Sequence, residues 1–260
     1  MKTFDAAKEV RNIVSFIRDY YEKYHLKGAV IGISGGKDSA VSAALFTRAL
    51  GKENVIGVAL PCHSNEQDEK DAKRISSYYD FPLYRFDLTE TFDVFRKGFY
   101  DSFGALIQHE SELVDSDINL KPRLRMAACY YIGAFFSQLK GQGYLVVGNS
   151  NKSERYVGYF TKGGDNVSDI AVLADYTVEE IIKIGEYLEV PREILYKKPS
   201  DGLSHMTDEE KLGLRYKDIA TYMEDATLLD PEIQTKIASY HRRNEHKWID
   251  NYYQRRNQNE

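Results

Sequence analysis

Residues 30–40 read VIGISGGKDSA. An apolar run meets the glycine pair Gly35 and Gly36, and Lys37, Asp38 and Ser39 come directly after it. The pattern predicts a buried strand, a tight turn and the start of a helix. Glycines at a strand's carboxyl end let backbone N–H groups approach phosphate oxygens, and a helix N-terminus adds partial positive charge. Open α/β sheets bind ligands at this edge. The stretch is not a Walker loop, because Asp38 follows Gly36-Lys37 where that loop needs Ser or Thr. Nor do Gly32, Gly35 and Gly36 have the GxGxxG spacing. The plain alternative is an ordinary strand-to-helix turn with Asp38 or Ser39 as N-cap.

Working outward, Val10, Ile13, Val14, Ile17, Tyr20, Tyr21 and Tyr24 predict a one-sided helix, which Gly28 is expected to end. Residues 29–33 read as the first strand and 38–50 as a helix closed by Gly51. Residues 54–61 read as a second strand and 81–88 as a third. Ser64 with Gln67 predicts a capping box opening a helix between these two strands. A mostly helical stretch covers about 90–140, followed by a strand at 144–149 and a polar loop over 150–176. Thr177 with Glu180 is a second predicted capping box. From about Thr207 the chain reads helical and charged. Apolar strands alternating with helices predict an α/β fold: a doubly wound parallel sheet with helices on both faces and a helical C-terminal extension, about 207–260. One domain over 1–260 is the expected organisation.

Composition narrows the function classes. The chain has 260 residues and a net charge of −5, a weak basis for nucleic-acid binding, which rests on a basic surface. Two cysteines, Cys62 and Cys129, without CxxC spacing, fit a reducing compartment rather than a disulfide or zinc scaffold. Residues 1–16 are charged throughout, unlike a signal peptide. No run approaches the ~18 apolar residues of a membrane span. The expectation is a soluble cytoplasmic protein with no nucleic-acid or membrane partner. The 20 tyrosines have no functional reading.

The string Ser34-Gly35-Gly36-Lys37-Asp38-Ser39, entered through Gly32 and Ile33, resembles the pyrophosphate loop of the N-type ATP pyrophosphatases, which cleave ATP between the α and β phosphates. Lys37 falls at a variable position of that signature. A carboxylate beside three phosphates would repel them unless a divalent cation lay between, so Asp38 is expected to be a Mg2+ ligand. Four further stretches resemble the NAD synthetases: NLKPRLRM (119–126), VVGNSNKSERYVGYFTKGGDNVSDI (146–170), the pair YKKPSDGL (196–203) and DEEKLGLRY (208–216), and RNEHKW (243–248).

The resemblance implies ATP-dependent amidation of nicotinate adenine dinucleotide (deamido-NAD) by ammonia, giving NAD+, AMP and pyrophosphate through an acyl adenylate. It implies Glu154 as second Mg2+ ligand and Asn149, Lys197 and Arg215 as ATP contacts. It implies dinucleotide contacts from Arg123, Lys162, Asp169, His246 and Lys247, with Asp38, Lys162 and Lys197 serving the chemistry. Arg125 is expected to be a helix-surface charge. The family often has Thr at Asn149 and at Arg215, an aromatic at Gly163, and Gly-Gly at Asn166-Val167, so those contacts depart from its pattern. A homodimer is implied. Neither cysteine sits in a glutaminase motif, and the synthetase motifs leave no room at either end for an amidase domain, so free ammonia is the expected nitrogen donor. The competing readings are a tRNA-thiolating enzyme, which would need sulfur-carrying cysteines and a basic surface, and a non-catalytic adenine-nucleotide sensor.

Overall fold

The computed structural model describes residues 4–197 and 207–248. Helix α1 (Ala6–Lys23) starts at Asp5, whose carboxylate accepts the Lys8 N–H, and buries Val10, Ile13, Val14, Ile17 and Tyr21. It stops at Tyr24 rather than at Gly28. His25 turns the chain in the left-handed region (φ 52°), and Gly28 belongs to strand β1 (Leu26–Gly32). A side chain at Gly28 would overlap the Asn54 carbonyl oxygen and the Tyr144 ring. That glycine marks a close approach inside the sheet, not a helix end.

After β1 come α2 (Lys37–Leu50), β2 (Val55–Ala59), α3 (Glu66–Tyr79), β3 (Leu83–Arg85), α4 (Thr89–Phe103), α5 (Val114–Lys140) and β4 (Gly143–Val147). The four strands are parallel and lie in the order β3-β2-β1-β4. Chain order therefore reverses between β1 and β4. At such a switch point the two carboxyl-end loops part and leave a crevice for a ligand.

Alternation along β1 serves both faces. Ala29 and Ile31 pack with Val14, Ile17, Leu45 and Phe46 of α1 and α2, while Val30 packs with Ala128, Cys129 and Phe136 of α5. Two-sided burial is why β1 and β2 read as continuous apolar runs.

The rest of the chain forms α6 (Lys152–Val157), α7 (Val178–Tyr187), α8 (Arg192–Leu195), α9 (Asp208–Leu212), α10 (Tyr216–Asp225) and α11 (Pro231–Asn244). The Thr177–Glu180 capping box is present at α7. A separate apolar cluster joins Val157 of α6 to Leu212, Leu214, Tyr216, Ile219 and Ile237. Two local expectations need correction. The stretch 150–176 is not all loop, because Asn151 and Glu154 form a capping box that starts α6. Six residues are too few to show a helical period. The helix after β2 takes Asn65, not Ser64, as N-cap; the Ser64 hydroxyl accepts the Cys62 N–H instead. Among the described residues no helix is long and apolar enough to cross a membrane. Residues 198–203 of YKKPSDGL and 249–260 of the C-terminal extension lie outside the described residues.

Candidate active site

The loop after β1 is shaped by its own hydroxyls. Ser39 Oγ donates to the Gly36 carbonyl (3.0 Å), the Ser34 N–H donates to Ser39 Oγ (3.3 Å), and the Gly36 N–H donates to Ser34 Oγ (3.3 Å). The Ile33 N–H is tied to the Val58 carbonyl at 2.9 Å. Gly35 has φ 79°, and a Cβ there would sit 2.7 Å from the Asp68 carbonyl oxygen. Both facts require glycine. The N-cap of α2 is Gly36, without a side-chain cap. Neither Asp38 nor Ser39 is spent as a cap, so the plain-turn reading of those residues fails. Asp38 Oδ2 lies 3.2 Å from Lys37 Nζ, and its buried Oδ1 has no hydrogen-bond partner.

The loop after β4 meets this one across the switch point. Asn149 Nδ2 donates to the Gly32 carbonyl (3.1 Å). Two residues on, the capping box fixes Glu154: its Oε2 accepts the Asn151 N–H at 3.2 Å. Loss of water and then the negative charge of Asp38 raise the Glu154 pKa above the usual carboxylate range. Two carboxylates, one of them with an orphaned buried oxygen, form a hard-oxygen donor set suited to Mg2+. Among the described residues no cluster of three or more His, Cys, Asp or Glu side chains could hold a metal ion. A divalent ion held here would take two carboxylates from the protein and would need oxygen ligands from elsewhere to complete its shell.

Lys197 flanks the loop. Its ammonium donates to Asp68 Oδ1 (2.8 Å) and Asp71 Oδ2 (2.6 Å) on α3, beside the Asp68 carbonyl that crowds Gly35. Arg215 precedes α10 and is held in a two-pronged pair with Asp218, at 2.8 and 2.6 Å.

A second group assembles from three distant segments. Arg123 Nε donates to the Lys162 carbonyl (3.2 Å), and Lys162 Nζ donates to the His246 carbonyl (2.7 Å). Lys247 Nζ donates to the carbonyls of Gly158 (2.7 Å) and Phe160 (2.8 Å). Burial lowers the Lys247 pKa. This chain of contacts brings Arg123, Lys162, His246 and Lys247 together. Asp169 is engaged elsewhere: its Oδ2 accepts the Val146 N–H (2.8 Å) and its Oδ1 the Tyr130 hydroxyl (3.1 Å).

Arg125 is not the surface charge the sequence suggested. Its guanidinium donates from Nε to the Leu60 carbonyl (3.1 Å) and from Nη2 to Ser64 Oγ (3.3 Å), at the end of β2. Burial lowers its pKa. The signal was available, since Arg125 lies one helical turn after Lys121 and one before Ala128-Cys129, on the inward stripe of α5.

Comparison with known proteins places the chain in a family. The NAD synthase family profile matches residues 9–257. The NH3-dependent NAD+ synthetase of Finegoldia magna is 37% identical over 218 residues, 84% of each chain. That of Thermococcus sibiricus is 38% identical over 219 residues, 84% of this chain and 80% of the relative. Among solved structures, an NMN synthetase from Francisella tularensis superposes with a TM-score of 0.85 at 28% identity, covering 97% of this chain and 99% of the other. The NH3-dependent NAD synthetase of Campylobacter jejuni superposes with a TM-score of 0.76 at 28% identity, covering 96% and 100%.

Proposed function

The chain belongs to the NAD synthase family, and on that premise we propose that it is an ATP-dependent ligase that amidates deamido-NAD with ammonia to give NAD+, AMP and pyrophosphate. The observation that carries this reading is the pairing of an aspartate-bearing glycine loop with Glu154 across the switch point between β1 and β4.

A nicotinate carboxylate is a poor acyl donor, because oxide or hydroxide would have to leave. Attack of that carboxylate on the α phosphate gives an acyl adenylate with AMP as the later leaving group, and ammonia then takes the carbonyl. The loop amides at Gly35 and Gly36 and the start of α2 receive the departing pyrophosphate. Asp38 and Glu154 would hold Mg2+, which supplies charge neutralisation to the phosphates. Lys197, held at the flank by Asp68 and Asp71, is placed to follow the phosphates. Arg123, Lys162, His246 and Lys247 receive the acceptor nucleotide, with Asp169 as a carboxylate for ribose hydroxyls. Asn149 and Arg215 are the proposed further ATP contacts. The work is positioning and electrostatics.

A homodimer is part of this reading. Tyr131, Phe135 and Leu139 on α5 and Phe95, Phe99 and Phe103 on α4 are exposed. An apolar stripe of that kind supports a self-association of standard size, about 800 Å² per partner. The two reduced cysteines support a cytoplasmic location.

The test is purified protein with ATP, Mg2+, ammonium and deamido-NAD. AMP and pyrophosphate in equal amounts, together with NAD+, are expected; ADP and phosphate would overturn the reading. A second acceptor belongs in the same assay. The likeness to the NMN synthetase supports nicotinate mononucleotide as an alternative substrate, and the ratio of kcat/KM for the two nucleotides decides between them.

A further inference from the structure

Lys37 stands at the variable position of the loop signature, yet it is among the most enclosed charges in the protein. It is the first residue of α2 and only 6% of its side chain is exposed. A buried ammonium is costly unless paired. Its partner is Asp38 Oδ2 at 3.2 Å, and the charges of Glu154 and Asp208 also act on it. Carboxylates on α2, α6 and α9 therefore all act on one lysine. The two oxygens of Asp38 are also divided: Oδ2 faces the ammonium, while Oδ1 is buried and unpartnered.

We propose that Lys37 is a built-in counter-ion of the divalent-cation site. It holds Asp38 and the surrounding acids together before the metal arrives, and it weakens metal binding by the protein alone. The ion then binds firmly only when nucleotide phosphates supply further negative charge. Metal and nucleotide enter together, and the free protein does not fill its site from the ambient divalent pool. The inference rests on the divalent-ion reading of Asp38 and Glu154. It assigns Lys37 to the cation and not to the phosphates.

The experiment is titration of the full chain with Mn2+ without nucleotide, read by the electron paramagnetic resonance of the free ion. Lys37→Met is expected to bind Mn2+ about tenfold or more tightly than the unmodified protein, because a repelling charge next to a divalent ion has been removed. Lys37→Arg is expected to keep the original affinity, and Asp38→Asn to lose binding. Equal or weaker binding by Lys37→Met would overturn the inference while leaving the metal site standing. Unchanged binding by Asp38→Asn would overturn the metal site itself, and the inference with it. A rise in ATP KM for Lys37→Met with no change in Mn2+ affinity would make Lys37 a phosphate ligand instead. Circular dichroism checks each fold, and Lys37→Gln carries the same comparison if Lys37→Met does not fold.

Discussion

The two ends of the site are built on opposite principles. At the metal end, Asp38 and Glu154 sit on the first turns of α2 and α6, fixed by a hydroxyl-braced loop and a capping box, with an orphaned oxygen at Asp38. At the proposed acceptor end, Arg123 and Lys162 lean on the backbone carbonyls of Lys162 and His246, and Lys247 on those of Gly158 and Phe160, across segments more than 80 residues apart in places. In the proposed function the first end concentrates its role in two carboxylates. The second spreads its positive charge over Arg123, Lys162 and Lys247, each already bonded to a backbone carbonyl. Asp38 keeps one buried oxygen without a partner, whereas Lys162 and Lys247 are satisfied by backbone carbonyls.

The largest expected effect tests the metal end. Asp38→Asn and Glu154→Gln should each lower kcat by about a thousandfold or more, since a lost metal bridge costs several kcal/mol of transition-state stabilisation and about 1.4 kcal/mol is a factor of ten. Steady-state kinetics at saturating Mg2+, with circular dichroism as the fold control, measures it. Near-normal rates in both variants would dissolve the distinction between the two ends.

At the acceptor end the loss should be smaller and of another kind. Lys162→Met should raise the acceptor KM by about ten- to a hundredfold, the worth of one charge-assisted hydrogen bond at about 1.5–3 kcal/mol, with kcat changed far less. An equal fall in kcat would move Lys162 into the chemical step.

Gly35→Ala sharpens the comparison through stability. Alanine at φ 79° and against the Asp68 carbonyl should cost about 1–3 kcal/mol of folding free energy, visible as a lower urea midpoint. No loss would mean that the loop is more pliable than the serine bonds imply.

The smallest effect belongs to Arg215→Ala. Its guanidinium is largely exposed and already engaged by Asp218. An exposed pair of this kind contributes little, and the ATP KM should shift by less than about threefold. A tenfold rise would make Arg215 a principal ATP contact rather than a minor one.

The legible parts of the sequence were the ones whose physics is local. The run before Gly35 had to be a buried strand, and Thr177 with Glu180 had to open a helix; both are present. Glu154 was singled out through its motif alone, and the helix carrying it was hidden in a stretch too short and polar to show a period. Gly28 misled because a glycine that makes room for Tyr144 looks, in sequence, like one that ends a helix. Arg125 misled because its partners, Leu60 and Ser64, lie more than 60 residues away. The convergence of Arg123 with Lys162 and His246 has no local signature either, and only the resemblance brought these residues onto one page.

The β1–β4 pairing has a kinetic side as well. Asn149 and Gly32, the hinge of the nucleotide edge, are 117 residues apart in the chain, and parallel strands so distant in sequence are slow to find each other. Asp38 lies on α2, directly after β1 in the chain, and Glu154 comes after β4. A nascent or half-folded chain therefore holds one carboxylate of the pair and not the other. Until β4 pairs with β1, the loops that carry Asp38 and Glu154 have no common sheet edge at which to meet.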